Sequence, residues 1–182
     1  MTKEEKIIEA CKKEASKDPL EIFHSIVGKC GVSIHGPEHH VLDGACVLTA
    51  FRNAGGNVDL DSALETLLQR GLKMPGAACG YWGVCGAVMS VGAALSIIEN
   101  TGPLTTDDSW GSHMHYTSEA LGKLAEVGGP RCCKRNAFLA IKAVIPYIRD
   151  RFGIELGEQE TACGFSPQNQ QCIKERCPFF KR

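Results

Sequence analysis

The feature that most constrains this chain is its punctuation. Apolar stretches at helical spacing are repeatedly opened by a capping residue and closed by glycine. Thr2-x-x-Glu5 is a capping box: Thr2 accepts an amide proton of the first turn, and Glu5 reaches back to the cap amide. Ile7, Ile8 and Cys11 follow at helical spacing, which predicts a helix from Thr2 to about Lys17. Asp18-Pro19-x-Glu21 opens a second helix, because proline at the first helical position loses an amide that had no partner. Ile22, Phe23, Ile26 and Val27 form its stripe, and Gly28 is the expected stop.

A loop from Gly31 to Gly36 leads to Pro37 and a third helix, running to about Arg52 and closed by Asn53-Ala54-Gly55-Gly56. A fourth spans Asp61 to Arg70 and stops at Gly71. A fifth, rich in glycine, runs from about Tyr81 to Asn100, before Thr101-Gly102-Pro103. A sixth covers Thr117 to Val127. A seventh starts at Pro130 and continues to about Arg151, with a kink expected at Pro146. Val32-Ser33-Ile34-His35 is the one short strand candidate. The expected fold is all-α: a single helical domain over residues 1–182, a bundle of six to seven helices. Its central helix is glycine-rich, and residues 153–182 form a Cys-rich C-terminal appendage, with one helical turn at Gln168 to Arg176.

Composition narrows the function classes. Lys plus Arg (20) nearly cancels Asp plus Glu (21), so no nucleic acid or anionic lipid partner is expected. No run of eighteen apolar residues exists, which argues against a membrane span. Met1-Thr2-Lys3-Glu4-Glu5-Lys6 lacks the apolar core of a signal peptide, so a cytoplasmic location is expected. Against that background, ten cysteines in 182 residues are an excess. In a reducing compartment, clustered cysteines point to metal binding or thiol chemistry rather than disulfides.

The cysteines fall into groups. Cys163, Cys172 and Cys177 form C-x8-C-x4-C before Pro178, in irregular chain that gives them little packing reason to be there. Soft thiolates on a loop converge readily on iron or zinc, and proline after the last ligand recurs in ferredoxin-type motifs. Cys79 and Cys85 straddle the start of the glycine-rich helix, where unpaired amides favour thiolate. Gly80, Gly83 and Gly86 either admit a close neighbour or clear space around these two thiols for a ligand or cluster. Cys132 and Cys133 sit in the first turn of a helix among Arg131, Lys134 and Arg135, where dipole and cations both push toward thiolate. Adjacent helical residues point about 100° apart, so one of the pair faces any given site. Cys11 and Cys46 lie on apolar stripes and read as core, whereas Cys30 reads either way.

His35-Gly36-Pro37-Glu38-His39-His40 gathers three of the six histidines at a helix start. Imidazole is a metal ligand and a base near neutral pH, which makes His35 and His39 catalytic candidates beside Cys132 and Cys133. Glu38 can equally serve the helix dipole. His113 and His115, beside Trp110, are assigned to a polar loop without a role.

Cys85-Gly86-Ala87 followed by Gly92, after the acidic helix Asp59-Leu60-Asp61-x-Ala63-Leu64, resembles a redox-associated all-helical family. That family is named for a cysteine–GCAxxG–cysteine–cysteine pattern. Here the order is Cys-Gly-Ala, and the next glycine lies further on. Over nearly its whole length the chain resembles an uncharacterised Cys-rich domain family found alone or beside SAM-dependent methyltransferase domains. The matching blocks are His35 to His40, Cys79 to Gly86, Gly128 to Arg135 and the terminal three cysteines. This resemblance implies a shared site and names no reaction.

Together these readings give an expectation. The protein is a metal-binding redox or sulfur-handling protein with an iron–sulfur cluster, of 4Fe-4S type, held by Cys163, Cys172, Cys177 and one of Cys79, Cys85, Cys132 or Cys133. The remaining thiols, with His35 or His39, line a pocket for a small-molecule substrate. The alternative is a non-catalytic module with structural zinc that serves a redox or methyltransferase partner.

Overall fold

The computed structural model describes residues 1–181. Eight α-helices account for the fold: α1 Lys3–Cys11, α2 Pro19–Cys30, α3 His39–Asn53, α4 Leu60–Gly71, α5 Ala78–Tyr81, α6 Gly86–Ile98, α7 Ser109–Val127 and α8 Cys133–Phe152. The expected all-α class holds. Val32 to His35 forms no strand, and the one bridge among the described residues joins Cys163 to Phe180.

The capping logic is met where it was strongest. Glu5 N–H donates to Thr2 Oγ1 at 3.1 Å, and Thr2 N–H donates to Glu5 Oε2 at 2.7 Å. Asp18 Oδ1 accepts from Leu20 and Glu21. Helix α2 passes through Gly28 and ends at Gly31, which adopts the left-handed conformation a C-cap needs (φ 60°). Nothing stands where a side chain on Gly28 would point, so that glycine is tolerated rather than required.

Two boundaries differ more. The glycine-rich helix is really two elements. The short α5 comes first, then a turn through Gly83 (φ 70°), then α6 with Cys85 as its N-cap. Helix α7 begins at Ser109, so His113 and His115 are helical rather than in a loop. Asp107 Oδ1 accepts from Ser109 N–H at 2.9 Å and supplies the start signal. Helix α8 continues through Pro146 to Phe152, and the proline lies on its exposed face.

Helix α3 is the true centre. Thirteen of its fifteen residues are buried, and it packs against α6, with α1, α2, α4 and α8 around it. Its contact with α6 is close because Gly44 has no side chain: a Cβ there would lie 2.3 Å from the Ser90 carbonyl oxygen. The Gly44 N–H donates to Ser90 Oγ at 2.9 Å. On α6, Gly86 makes room for the His40 ring and Gly92 for Thr117 of α7. The fold thus puts a glycine on each side of the α3–α6 seam, whereas the sequence drew attention only to α6.

Residues beyond Gly153 wrap back over the N-terminal ends of α2 and α8. Gln159 N–H donates to Asp18 Oδ2, and Gly157 N–H to the Lys17 carbonyl. Leu156 and Phe179 join the core, and Phe179 meets Phe138 edge-on. Phe165 stacks on His24. Cys11 and Cys46 are core residues as expected.

Candidate functional site

Helix α8 begins at the point where the seven remaining candidate thiols divide. Cys132 is its N-cap and Cys133 its first residue. The two side chains face different neighbours, as their angular offset requires.

Cys132 turns toward the C-terminal segment. Its sulfur accepts from Arg135 N–H and from Asn169 Nδ2, both at 3.5 Å. Cys163 and Cys177 each feel the charges of Cys132 and Cys172, so all four thiols lie within electrostatic reach. Three of them share one local geometry, in which the amide two residues on donates to the sulfur. Phe165 N–H meets Cys163 and Lys174 N–H meets Cys172, each at 3.4 Å, and the Phe179 amide faces Cys177. Burial pushes the Cys163 and Cys177 thiols up, while these amides pull them back. Amide donors aimed at sulfur favour thiolate, the form that binds metal. Among the described residues, no three His, Cys, Asp or Glu side chains are arranged to hold a metal ion.

Cys133 turns the other way, into a cavity of about 120 Å³ that it lines with His39, His40, Cys79 and Cys85. A second cavity, of about 600 Å³, adjoins it and runs between α5, the α7 end and the turn before α8. The two share Cys79, Cys85, Arg131 and Asn136. Gly80 and Gly83 line the larger one, with open space where their side chains would be. Neither is lined by a tail thiol. Cys79 and Cys85, expected as candidate ligands with the tail, are therefore cavity residues.

Thiolate character at the start of α8 was expected, and the structure corrects it for Cys133. Burial pushes this thiol up to about 11, against the Gly36 amide. Burial likewise raises Cys85, although Asn136 Nδ2 donates to its sulfur at 3.3 Å. Desolvation outweighs the helix dipole at both positions. Cys79, by contrast, is exposed.

Of the three basic residues at the start of α8, Arg131 is exposed and the other two are buried. Lys134 is fully buried and Arg135 is 4% exposed. Arg135 Nη2 donates to the Gly128 and Pro130 carbonyls at 2.9 and 3.1 Å, which braces the turn entering α8. Lys134 Nζ lies 3.3 Å from His39 Nε2 and over the rings of Phe23 and Phe165. His39 Nδ1 lies 3.0 Å from Asp43 Oδ1. With Asp43 as a carboxylate, which only accepts, and Lys134 as an ammonium, which only donates, the geometry assigns the His39 proton to Nδ1. Burial lowers the Lys134 pKa, while Asp43 acts to raise it. This Asp43–His39–Lys134 chain sits between the cavity and the tail.

The other histidine-segment residues part company. His35 Nε2 lies 3.2 Å from Asn169 Oδ1, which ties the loop to the tail rather than to the cavity. Glu38 pairs with Lys3 at 2.9 Å. Against the upward push of burial, hydrogen bonds from its own amide, Lys3 and Ser33 hold it at about 2. It anchors the loop and does not reach the cavity.

Asp43 and Asn169 escaped the sequence reading, and Lys134 was read only as a cation flanking Cys132 and Cys133. Asp43 follows His39 by four residues, a spacing that puts both on one helix face, and that signal was available. Lys134 meets His39 across 95 residues, and Asn169 joins a loop to a cap, so neither had a local signature.

Fold and site define an all-helical thiol protein with two separate cysteine groups at one helix start. The chain belongs to a family of unknown function (DUF5714), whose model matches residues 7–180. No curated protein and no solved structure matches it.

Proposed function

We propose that this is an iron–sulfur protein with a redox or sulfur-handling role, its cluster held by Cys132, Cys163, Cys172 and Cys177. The observation that carries the reading is that Cys132, from the core helix α8, lies within electrostatic reach of Cys163 and Cys177, which in turn lie within reach of Cys172. Four thiols complete the ligand set of a cubane cluster. Each thiolate there binds a different iron, so the sulfurs need not converge on one point as they would around zinc. The amide donors on the sulfurs offset the charge of the thiolates and tune the reduction potential. Arg135, whose cation acts on Cys177, adds to that effect. With all four thiolates in place the cluster would supply or accept an electron, since no iron is left open to a substrate. The chain's own part is to hold Lys134 and His39 close by, with a proton fixed on Nδ1.

Anaerobic reconstitution with iron and sulfide tests this. A broad visible absorption is expected, with iron and sulfide bound in equal amounts, and each of Cys132→Ser, Cys163→Ser, Cys172→Ser and Cys177→Ser should weaken it. A colourless protein that binds one zinc ion through the same thiols would replace this reading by a structural zinc module, and one that binds neither would end both.

A further inference from the structure

We propose that the joined cavities bind a small organic anion carrying a sulfur–sulfur bond, a disulfide or persulfide, and that Cys79 is the thiol that attacks it. The proposal goes beyond the cluster and stands on the cavity alone. Three observations carry it.

The first is charge. Arg131 lines both cavities and Arg135 the larger one, while no Asp or Glu lines either. A cleft lined by one sign of charge concentrates the opposite ion and speeds its arrival. The second is an orphan: Arg135 is 4% exposed, yet its Nη1 has no hydrogen-bond partner. A buried guanidinium N–H without an acceptor is costly, and it keeps a full charge at the cavity wall. The third is the disposition of thiols. Cys79 and Cys85 stand where the two cavities meet and Cys133 in the smaller one. Cys85 is buried and Cys133 partly buried, whereas Cys79 is exposed on the four-residue α5 with open space beside Gly80. The larger cavity, at about 600 Å³, takes a molecule of a dozen or more heavy atoms.

The step balances without another reagent. The Cys79 thiolate attacks one sulfur of the ligand, a new sulfur–sulfur bond forms, and the old one breaks. The departing thiolate leaves with the bonding pair and takes a proton from water. The Cys79 sulfur rises by one oxidation unit, the departing sulfur falls by one and the attacked sulfur is unchanged, so the exchange needs no outside oxidant.

Two small disulfides of similar size test it on the full chain, with and without reconstituted cluster: dithiodiglycolate, a dianion, and hydroxyethyl disulfide, which is neutral. Each rate of adduct formation, followed by intact mass and peptide mapping, is divided by the rate with free mercaptoethanol. The dianion should modify Cys79 at least about ten-fold faster on this scale. Arg131→Gln, a surface change that leaves the core untouched, should remove most of that preference while sparing the neutral reagent. Cys79→Ser should remove the adduct. Equal normalised rates, a preference that survives Arg131→Gln, or an adduct on a tail thiol would each overturn the proposal. A chain that takes up no iron yet keeps the preference would sink the cluster and leave this inference standing; the reverse pattern would sink only this one.

Discussion

The tail thiols and the cavity thiols are alike in number and in nearness to α8, yet they face different parts of the fold. At the tail, backbone amides point at the sulfurs of Cys163, Cys172 and Cys177. In the cavity, Cys85 and Cys133 also have amide donors, and burial raises both, as it raises Cys163 and Cys177. One environment gathers its thiols within reach of one another and of Cys132; the other spreads three along a cleft and leaves Cys79 exposed. Cysteine count and spacing do not distinguish these cases, because the difference lies in which neighbours each side chain faces across the fold.

The sharpest way to break the division is to set Cys132→Ser against Cys133→Ser. These are neighbours in sequence with the same formal surroundings of dipole and cations. If the groups are separate, Cys132→Ser loses most of the reconstituted iron and Cys133→Ser keeps it, a contrast that iron analysis and the visible spectrum read directly. Equal loss from both would mean that the two groups are one site.

A second experiment concerns the chain between the groups. Asp43 and Lys134 are fully buried opposite charges on either side of His39. Removing one partner leaves the other buried without compensation, which costs about 3–5 kcal/mol. Asp43→Asn should therefore lower stability by about that amount in denaturant unfolding, and Asp43→Asn combined with Lys134→Met should cost clearly less than the sum of the two single changes. Strict additivity would show that the residues do not form one unit.

These particulars also mark how far the sequence could be read. The helices were legible because caps and glycine stops are local: Thr2 with Glu5, and Asp18 with Pro19, act within one turn. The break between α5 and α6 was not, because a run of glycines fits one crowded helix as well as two elements. His39, Cys79, Cys85 and the three tail cysteines were visible as candidate residues. Their partition was hidden, since it depends on which way Cys132 and Cys133 point and on Asn169 reaching across 37 residues to a cap. The strongest error followed from the same limit. Arg131, Lys134 and Arg135 appeared to favour thiolate at Cys133, but the local sequence carries no measure of burial, and burial decided the sign.

That sign has a consequence in alkali. The Cys133 thiol has its ordinary value near 9.0 when unfolded and is pushed up to about 11 when folded. Between those values the folded chain keeps a proton that the unfolded chain gives up, so stability falls as pH rises through the window. The slope from one such group is at most about 1.4 kcal/mol per pH unit. Cys46, Cys85 and Tyr116 are raised by burial too, so the total slope is shared. The informative quantity is the difference between the native chain and Cys133→Ala, whose unfolding free energy should fall less steeply from pH 9 to pH 11. Iron sharpens the comparison. Thiols bound to metal have already lost their protons and drop out of the alkaline titration. Reconstitution should therefore remove the part of the slope that Cys163 and Cys177 contribute and leave the Cys133 part in place. If metal abolishes the Cys133 difference as well, that thiol belongs with the tail after all.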